Sequence, residues 1–419
     1  MFKTVNEAQI WIENIKRFGS KLDLKRMEKA IELLGHPEKE FKSIHVGGTN
    51  GKGSTSTYLK KILSHAGFKV GIYTSPYVVK FNERIGINDE YISDDDLVYY
   101  ANILYPLTEK MLEEDETVTF FEVLTLMSFL YFRDKEVDYA IIEVGLGGLL
   151  DATNVIIPEI SVITNISYDH MKQLGDTLES IALNKLGIVK DNVPLVTAIE
   201  NVNLFPLFAE VTAKHNSRLK IINFDMVTDV SVKEVTKFRY HENEYVLNLT
   251  GYHQVKNACL AIETIRLLRI LNNIKINEED IYEGLKQAAW PGRFEFFGPN
   301  IVIDGAHNIG GIQALVKSAK EVFKGKYIKC LFSVMRDKEH KKMIEELDNF
   351  CDELYFTEFE YQRRADAEEL FLESTHYHKS FHKDYKDIFY KLLDLKDNEV
   401  LIITGSLYFI SEIRKLLVK

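Results

Sequence analysis

The chain is poor in cysteine, has no excess of basic residues and contains no apolar run long enough to cross a bilayer. Its three cysteines, Cys259, Cys330 and Cys351, are scattered through 419 residues without a CxxC pair or a metal-ligand spacing. A disulfide framework and a structural zinc site are therefore not expected, and the thiols read as small buried hydrophobes in a reducing compartment. Acids outnumber bases, 63 against 52, for a net charge of −11. A nucleic-acid binder normally carries a basic face, so this balance argues against that role. Residues 1–18 are amphipathic and mixed in charge, lacking the basic start and apolar core of a signal peptide. Low-complexity tracts and internal repeats are also missing. The expectation is a cytoplasmic protein that engages neither nucleic acid nor membrane.

What is present is ordinary for a soluble enzyme: 46% hydrophobic and 27% charged residues. The length exceeds one ordinary core, so two domains are expected. Short β-branched runs at 44–46, 70–73, 139–143, 160–164 and 195–198 alternate with helical patterns such as 55–66 and 122–132. This alternation predicts a parallel α/β sheet whose function lies at the C-terminal strand ends. Residues 221–249 instead alternate with period two, predicting a small antiparallel addition with a turn near 241–244. Trp290-Pro291-Gly292 then breaks the chain, and a second α/β series follows, with strands at 301–304, 329–334, 353–357 and 400–404 and a last helix at 407–417. A boundary at 290–298 divides the chain into domains 1–290 and 298–419.

The segment Gly47-Gly48-Thr49-Asn50-Gly51-Lys52-Gly53-Ser54-Thr55 follows the run 44–46 and opens a helical pattern. Glycines allow backbone N–H groups to approach phosphate oxygens, and the helix N-terminus favours the same anion. Lys52 can reach the terminal phosphates and Ser54 or Thr55 can offer a hydroxyl to Mg²⁺. The common G-x-x-x-x-G-K-[ST] order is interrupted by Gly53. Nucleotide binding is the reading, against an incidental glycine turn.

Other strand ends carry candidate chemistry. Glu143 closes an apolar strand before Gly145, Gly147 and Gly148 and is placed to hold Mg²⁺, or is simply a solvated strand-end acid. His170 follows the strand at 160–164, with Asp169 an equal metal candidate on spacing alone. Asp304 and His307, in Asp304-Gly305-Ala306-His307-Asn308, could meet ribose, a metal-bound group or phosphate, or form an ordinary turn. Thr404-Gly405-Ser406 has the same ambiguity. Lys185, read by itself, is an exposed helix lysine.

Taken in order, these segments resemble the folylpolyglutamate synthase/dihydrofolate synthase family within the Mur ligase group. The likeness runs through GTNGKGST (48–55), TSPYVVKFNERI (74–85), TFFEVLT (119–125), EVGLGGLLDATN (143–154), DH (169–170), NKLGI (184–188), GYHQVKNA (251–258), WPGRFE (290–295), DGAHN (304–308) and TGSLY (404–408). It implies an N-terminal P-loop ATPase-like sheet domain and a C-terminal Rossmann-like α/β domain, with catalysis in the cleft between them. It further implies that Thr49, Asn50, Gly51, Lys52, Gly53 and Ser54 bind ATP. Asn257 would meet adenine and Arg293 the phosphates, while Asp304 and His307 come from the second domain. Ser54, Ser75, Glu143 and His170 would hold Mg²⁺, Lys185 would be carbamylated, and a monovalent cation could join the site. Thr119, Phe120, Phe121, Glu122, Leu150, Asp151 and Ala152 would form the pterin pocket, although core packing is the plainer reading of one of the two phenylalanines. Leu149 departs from the family, where arginine is common, so no charged role is carried over there.

The reaction implied is ATP-dependent ligation of L-glutamate to dihydropteroate or folate through an acyl phosphate, in a chain expected to be a monomer. LLDATN resembles the bifunctional bacterial members, which favours both substrates. The rivals are a Mur-type ligase acting on a cell-wall precursor and a non-catalytic nucleotide-binding switch.

Overall fold

Residues 43–47 are buried without a break, as a strand covered on both faces must be. In the computed structural model, which describes residues 1–16 and 23–418, they form the middle of an eight-stranded sheet. Its strands are β1 (Lys42–Gly47), β2 (Val70–Tyr73), β3 (Ile85–Ile87), β4 (Glu90–Tyr91), β5 (Tyr139–Glu143), β6 (Ile160–Ile163), β7 (Leu195–Thr197) and β8 (Leu219–Ile221). Their order is β4-β3-β2-β5-β1-β6-β7-β8. From β2 to β8 all neighbours are parallel, while β3 and β4 add an antiparallel ribbon at one edge. The last two residues of the amphipathic pattern 1–18 lie outside the described residues; the helix itself is Val5–Asn14.

The chain separates into two compact units. The first comprises 1–166, 174–223 and 257–285; the second comprises 167–173, 224–256 and 286–419. In the first unit the helix Phe120–Asp134 is buried along nearly its whole length, from Glu122 to Phe132. Its side chains fill the core with Tyr73, Phe81, Ile142 and the helix Asp94–Glu113. A capping box starts this helix: the Thr119 hydroxyl accepts from Glu122 N, and the Glu122 carboxylate accepts from Thr119 N.

The second unit holds two sheets. β9 (Val227–Val232), β10 (Thr236–Tyr240) and β11 (Asn243–Leu247) form the antiparallel addition. Tyr240 pairs with Asn243, so the turn is His241-Glu242, within the region the alternation indicated. The other sheet contains β12 (Glu295–Phe297), β13 (Ile301–Ile303), β14 (Tyr327–Phe332), β15 (Glu353–Thr357), β16 (Lys379–His382) and β17 (Glu399–Thr404). Its order is β12-β13-β17-β14-β15-β16, parallel except for the β12 edge. β14 starts two residues earlier than the apolar run suggested and ends at Phe332, before the loop Ser333–Glu339 leaves the sheet edge. All three cysteines are free and buried. Among the described residues no helix is long and apolar enough to cross a membrane.

Candidate active site

The parallel order β2-β5-β1-β6 places four C-terminal strand ends on one edge of the first unit. Pairing Tyr73 with Ile142 and Val46 with Glu143 brings three segments side by side: Thr74-Ser75, Glu143 and the Gly48 loop. The loop is pinned to the end of β6. Thr49 N donates to Asn165 O (3.0 Å), Asn50 N to the Asn165 side-chain oxygen (3.0 Å), and the Thr164 hydroxyl to Asn50 O (2.6 Å). Gly48 has φ +133°, and a Cβ there would strike Thr164, including its backbone nitrogen at 2.9 Å. Gly51, with φ +84°, caps the helix Lys52–His65, and a Cβ there would run into the Asn257 side chain. Both glycines are thus required by conformation and by space.

Lys52 Nζ folds back to donate to Gly48 O (3.3 Å) and Thr49 O (3.1 Å). Lys185 Nζ donates to the same Gly48 oxygen at 2.9 Å. Lys185 is buried, which overturns its residue-level reading as an exposed helix lysine. Two amine side chains therefore converge on one carbonyl of the nucleotide loop. Ser54 is buried in the first turn of the helix and Glu143 is buried at its strand end.

The pterin candidates separate into different roles. Phe121 stands 5.6 Å from the Tyr73 ring and fills the space over Gly145. Phe120 is half-buried beneath the Arg84 guanidinium, 5.4 Å from its ring centroid. Glu122 is committed to the capping box and to a buried ion pair with Arg26 (2.9 Å). Asp151 folds its own loop, accepting from Leu146 N (2.8 Å), Thr153 N (3.1 Å) and the Thr153 hydroxyl (2.5 Å). Burial raises its carboxyl above the usual range, with those hydrogen bonds acting in the opposite direction. Thr153 in turn contacts the buried His45 Nε2 at 2.8 Å. Ala152 is buried and Leu150 exposed.

In the second unit, Asp304 ends the β13 region with both oxygens occupied by backbone donors, Phe294 N and Ala306 N, each at 2.8 Å. Burial raises its carboxyl, and the Arg293 guanidinium works against that rise. Arg293 itself lies against Gly305. His307 Nδ1 donates to Gly305 O at 2.8 Å, which leaves Nε2 as the acceptor of a neutral ring. Burial and the Lys338 ammonium lower this histidine to about 4, so donation from Nε2 to a phosphate requires a proton acquired with the ligand.

The segment 167–173 brings Asp169 and His170 into this same unit. Asp169 accepts from Lys338 Nζ (2.6 Å) and Asn308 Nδ2 (3.0 Å), and lies 3.8 Å from His307 Nε2. Burial would raise its carboxyl, but Lys338, His307 and His170 outweigh that and hold it well below the carboxylate range. His170 adopts φ +50° and faces Lys338 Nζ across 3.5 Å. Lys338 was not singled out by the sequence pattern. Its signal was positional: it lies in the loop after β14, at the same kind of strand end as the other candidates. Arg26 and Arg84 carried no such signal, because their acidic and aromatic partners are distant in sequence.

Residues 46–265 match the Mur ligase middle domain, and residues 292–407 match the Mur ligase glutamate ligase domain. A dihydrofolate synthase/folylpolyglutamate synthase from Bacillus subtilis (strain 168) is 38% identical over 431 aligned positions, covering 99% of both chains. The chain belongs to the dihydrofolate/folylpolyglutamate synthase family of Mur ligases. The folylpolyglutamate synthase of Lacticaseibacillus casei is 34% identical over 98% of both chains. The apo form of the L. casei enzyme shares the fold along 100% of both chains, with a TM-score of 0.88 and 30% identity. Mycobacterium tuberculosis folylpolyglutamate synthase complexed with ADP gives a TM-score of 0.90 at 26% identity, covering 99% of this chain and 98% of that one. As a member of this family the chain is an ATP-dependent ligase, with ATP as co-substrate.

Proposed function

We propose that this enzyme joins the α-amino group of L-glutamate to a carboxylate of dihydropteroate and of folates. The observation that carries this reading is the sheet edge of the first unit. There the glycine loop, Ser75 and Glu143 emerge from neighbouring strands while Lys52 and Lys185 meet at Gly48 O. A carboxylate has no good leaving group. Its oxygen attacks the terminal phosphorus of ATP, expelling ADP, and the resulting acyl phosphate is opened by the glutamate amine, which expels phosphate. Catalysis of this kind is mostly positioning and stabilisation of spread negative charge. Lys52 and the loop N–H groups are assigned to the phosphates, and the family resemblance assigns Arg293, Asp304 and His307 to ATP as well.

Ser54, Ser75 and Glu143 offer the hard oxygen donors that suit Mg²⁺, with His170 as a further ligand. The bound ion supplies positive charge to the phosphate oxygens. Carbamylation of Lys185 would replace one of two convergent cations with an anion, and a monovalent cation would complete the charge balance. Thr119, Phe120, Phe121, Glu122, Leu150, Asp151 and Ala152 are assigned to the pterin side. Within that set Phe120 offers a ring face, beside which Arg84 supplies a cation, while Glu122 and Asp151 act mainly by holding the walls. The polypeptide works as a monomer in the cytoplasm, with family domains drawn at 1–290 and 298–419.

The test is ADP release with dihydropteroate and tetrahydrofolate offered separately, each with and without L-glutamate. Turnover should depend on glutamate with both acceptors and be abolished by Lys52→Ala and by His170→Ala. Near-normal turnover in both variants, or turnover only with a cell-wall precursor, would sink the assignment.

A further inference from the structure

Away from the residues assigned above, the second unit groups one histidine and two glutamates whose candidate ligand atoms all lie within 4.8 Å of one another: His340, Glu369 and Glu373. We propose that these residues form a binding site for a first-row divalent metal ion of the Zn²⁺ class.

The arrangement follows from two short helices. His340 opens the helix His340–Asp348, and Glu369 and Glu373 stand one turn apart on the helix Ala367–Glu373. Side chains four apart share a helix face, so both carboxylates are presented together. Each helix is seated in the same core, the first through Met343, Ile344 and Leu347 and the second through Ala367 and Leu370. The segments leading into them are also tied by backbone pairing: Arg336 N donates to Arg363 O (2.8 Å) and Ala365 N to Val334 O (2.9 Å). The three side chains therefore project from braced elements, as a preorganised ligand set requires.

Two features of the cluster point to a cation. The Glu369 carboxylate makes no hydrogen bond or ion pair among the described residues, although it stands beside its partners. Two like charges at this spacing destabilise the helix, and Glu373 also sits at its C-terminal end, where the helix dipole disfavours an anion. His340 Nδ1 contacts Glu373 at 2.7 Å and relieves one of the two acids only. A divalent ion relieves both. One imidazole and two carboxylates, without thiolate, form a mixed nitrogen and oxygen set that suits Zn²⁺ and its neighbours. Metal–ligand bonds of about 2.0–2.2 Å need ligand atoms roughly 3–3.5 Å apart, so the 2.7 Å His340–Glu373 contact must open slightly as Glu369 closes on both, within the reach of glutamate rotamers. Water would complete the coordination on the exposed Glu369 side.

The location gives such an ion a consequence. His340 lies two residues after Lys338, at the start of the helix that follows the loop delivering Lys338 to Asp169. Occupancy would fix the far end of that loop.

The probe is Zn²⁺ itself, titrated calorimetrically into the full chain in the presence of excess Mg²⁺, with Co²⁺ absorption as a spectroscopic second reading. The comparison is with Glu369→Gln, a change at an exposed position, and with His340→Gln. The wild type should bind one Zn²⁺ that each variant binds at least about tenfold more weakly, and the Co²⁺ band of the wild type should be lost. Equal Zn²⁺ stoichiometry and affinity in all three proteins would overturn the proposal. So would binding that depends on Glu369 but not on His340, or a wild type that binds none.

Discussion

Replacing Arg26 by methionine tests whether the buried Arg26–Glu122 pair holds together the wall proposed for the pterin side. Arg26 Nη2 lies 2.9 Å from Glu122 Oε1, and both side chains are almost fully enclosed. Glu122 also accepts Thr119 N at 2.7 Å, so its carboxylate cannot turn to solvent without dismantling the start of the helix Phe120–Asp134. Arg26→Met should therefore strand a charge in the interior, at a cost of about 3–5 kcal/mol. At roughly 2–4 °C per kcal/mol for a domain of this size, the melting temperature should fall by about 6–20 °C. Glu122→Gln added to Arg26→Met removes the stranded charge while keeping an amide able to close the capping box. The double variant should recover about 1–3 kcal/mol over Arg26→Met alone. Urea unfolding of the wild type, both single variants and the double variant, followed by circular dichroism, measures the full cycle. Additive single effects, or an Arg26→Met protein within about 1 kcal/mol of wild type, would refute the reasoning.

Three further outcomes are expected. Gly48→Ala should raise the ATP concentration needed for half-maximal turnover at least about fivefold, since strain and collision with Thr164 shift the loop by an amount worth about 1–3 kcal/mol; unchanged ATP dependence would show that the loop conformation is dispensable. His45 is buried and held neutral, lowered to about 3 by desolvation and by Lys190. Its folded value lies below the unfolded value of 6.5, so the unfolded chain takes up the proton first and stability drains away as pH falls from about 6.5 toward 3. His45→Gln should flatten the stability–pH curve in that window, and an unchanged slope would contradict a buried neutral ring. Arg84→Met should raise the Michaelis constant for the pterin-bearing acceptor more than that for ATP, because the guanidinium faces Phe120, Tyr77 and Phe81; equal changes for both substrates would separate Arg84 from acceptor recognition.

The central strands of both sheets were legible because parallel strands covered on two faces leave continuous apolar runs, as at 139–143 and 400–404. The glycine loop was legible because its phosphate chemistry is local: strand, turn, lysine and hydroxyl are contiguous. The ribbon of β3 and β4 was not read, since strands of three and two residues carry too little pattern. Lys185 shows a different limit. Its environment is set by Gly48, 137 positions away in sequence, and no helix periodicity reports a partner at that distance. The Lys338–Asp169 pair escaped for the same reason, with 169 positions between its members. Glu122 and Asp151 were legible only as candidate acids. Their hydrogen bonds to Thr119, Leu146 and Thr153, which commit them to shaping loops, became visible only with the fold.

The strand order carries an evolutionary consequence. β2 and β5 are neighbours in the sheet but are separated in sequence by residues 74–138, and Thr119–Glu122 lie on that excursion. Leu150–Ala152 lie on the next connection, between β5 and β6, whereas the nucleotide loop follows β1. The positions proposed for the acceptor are thus concentrated on the two connections that flank β5. Lineages could lengthen, trim or exchange them while the register around β1 stays fixed, so that one phosphate-handling engine can be fitted with new acid substrates.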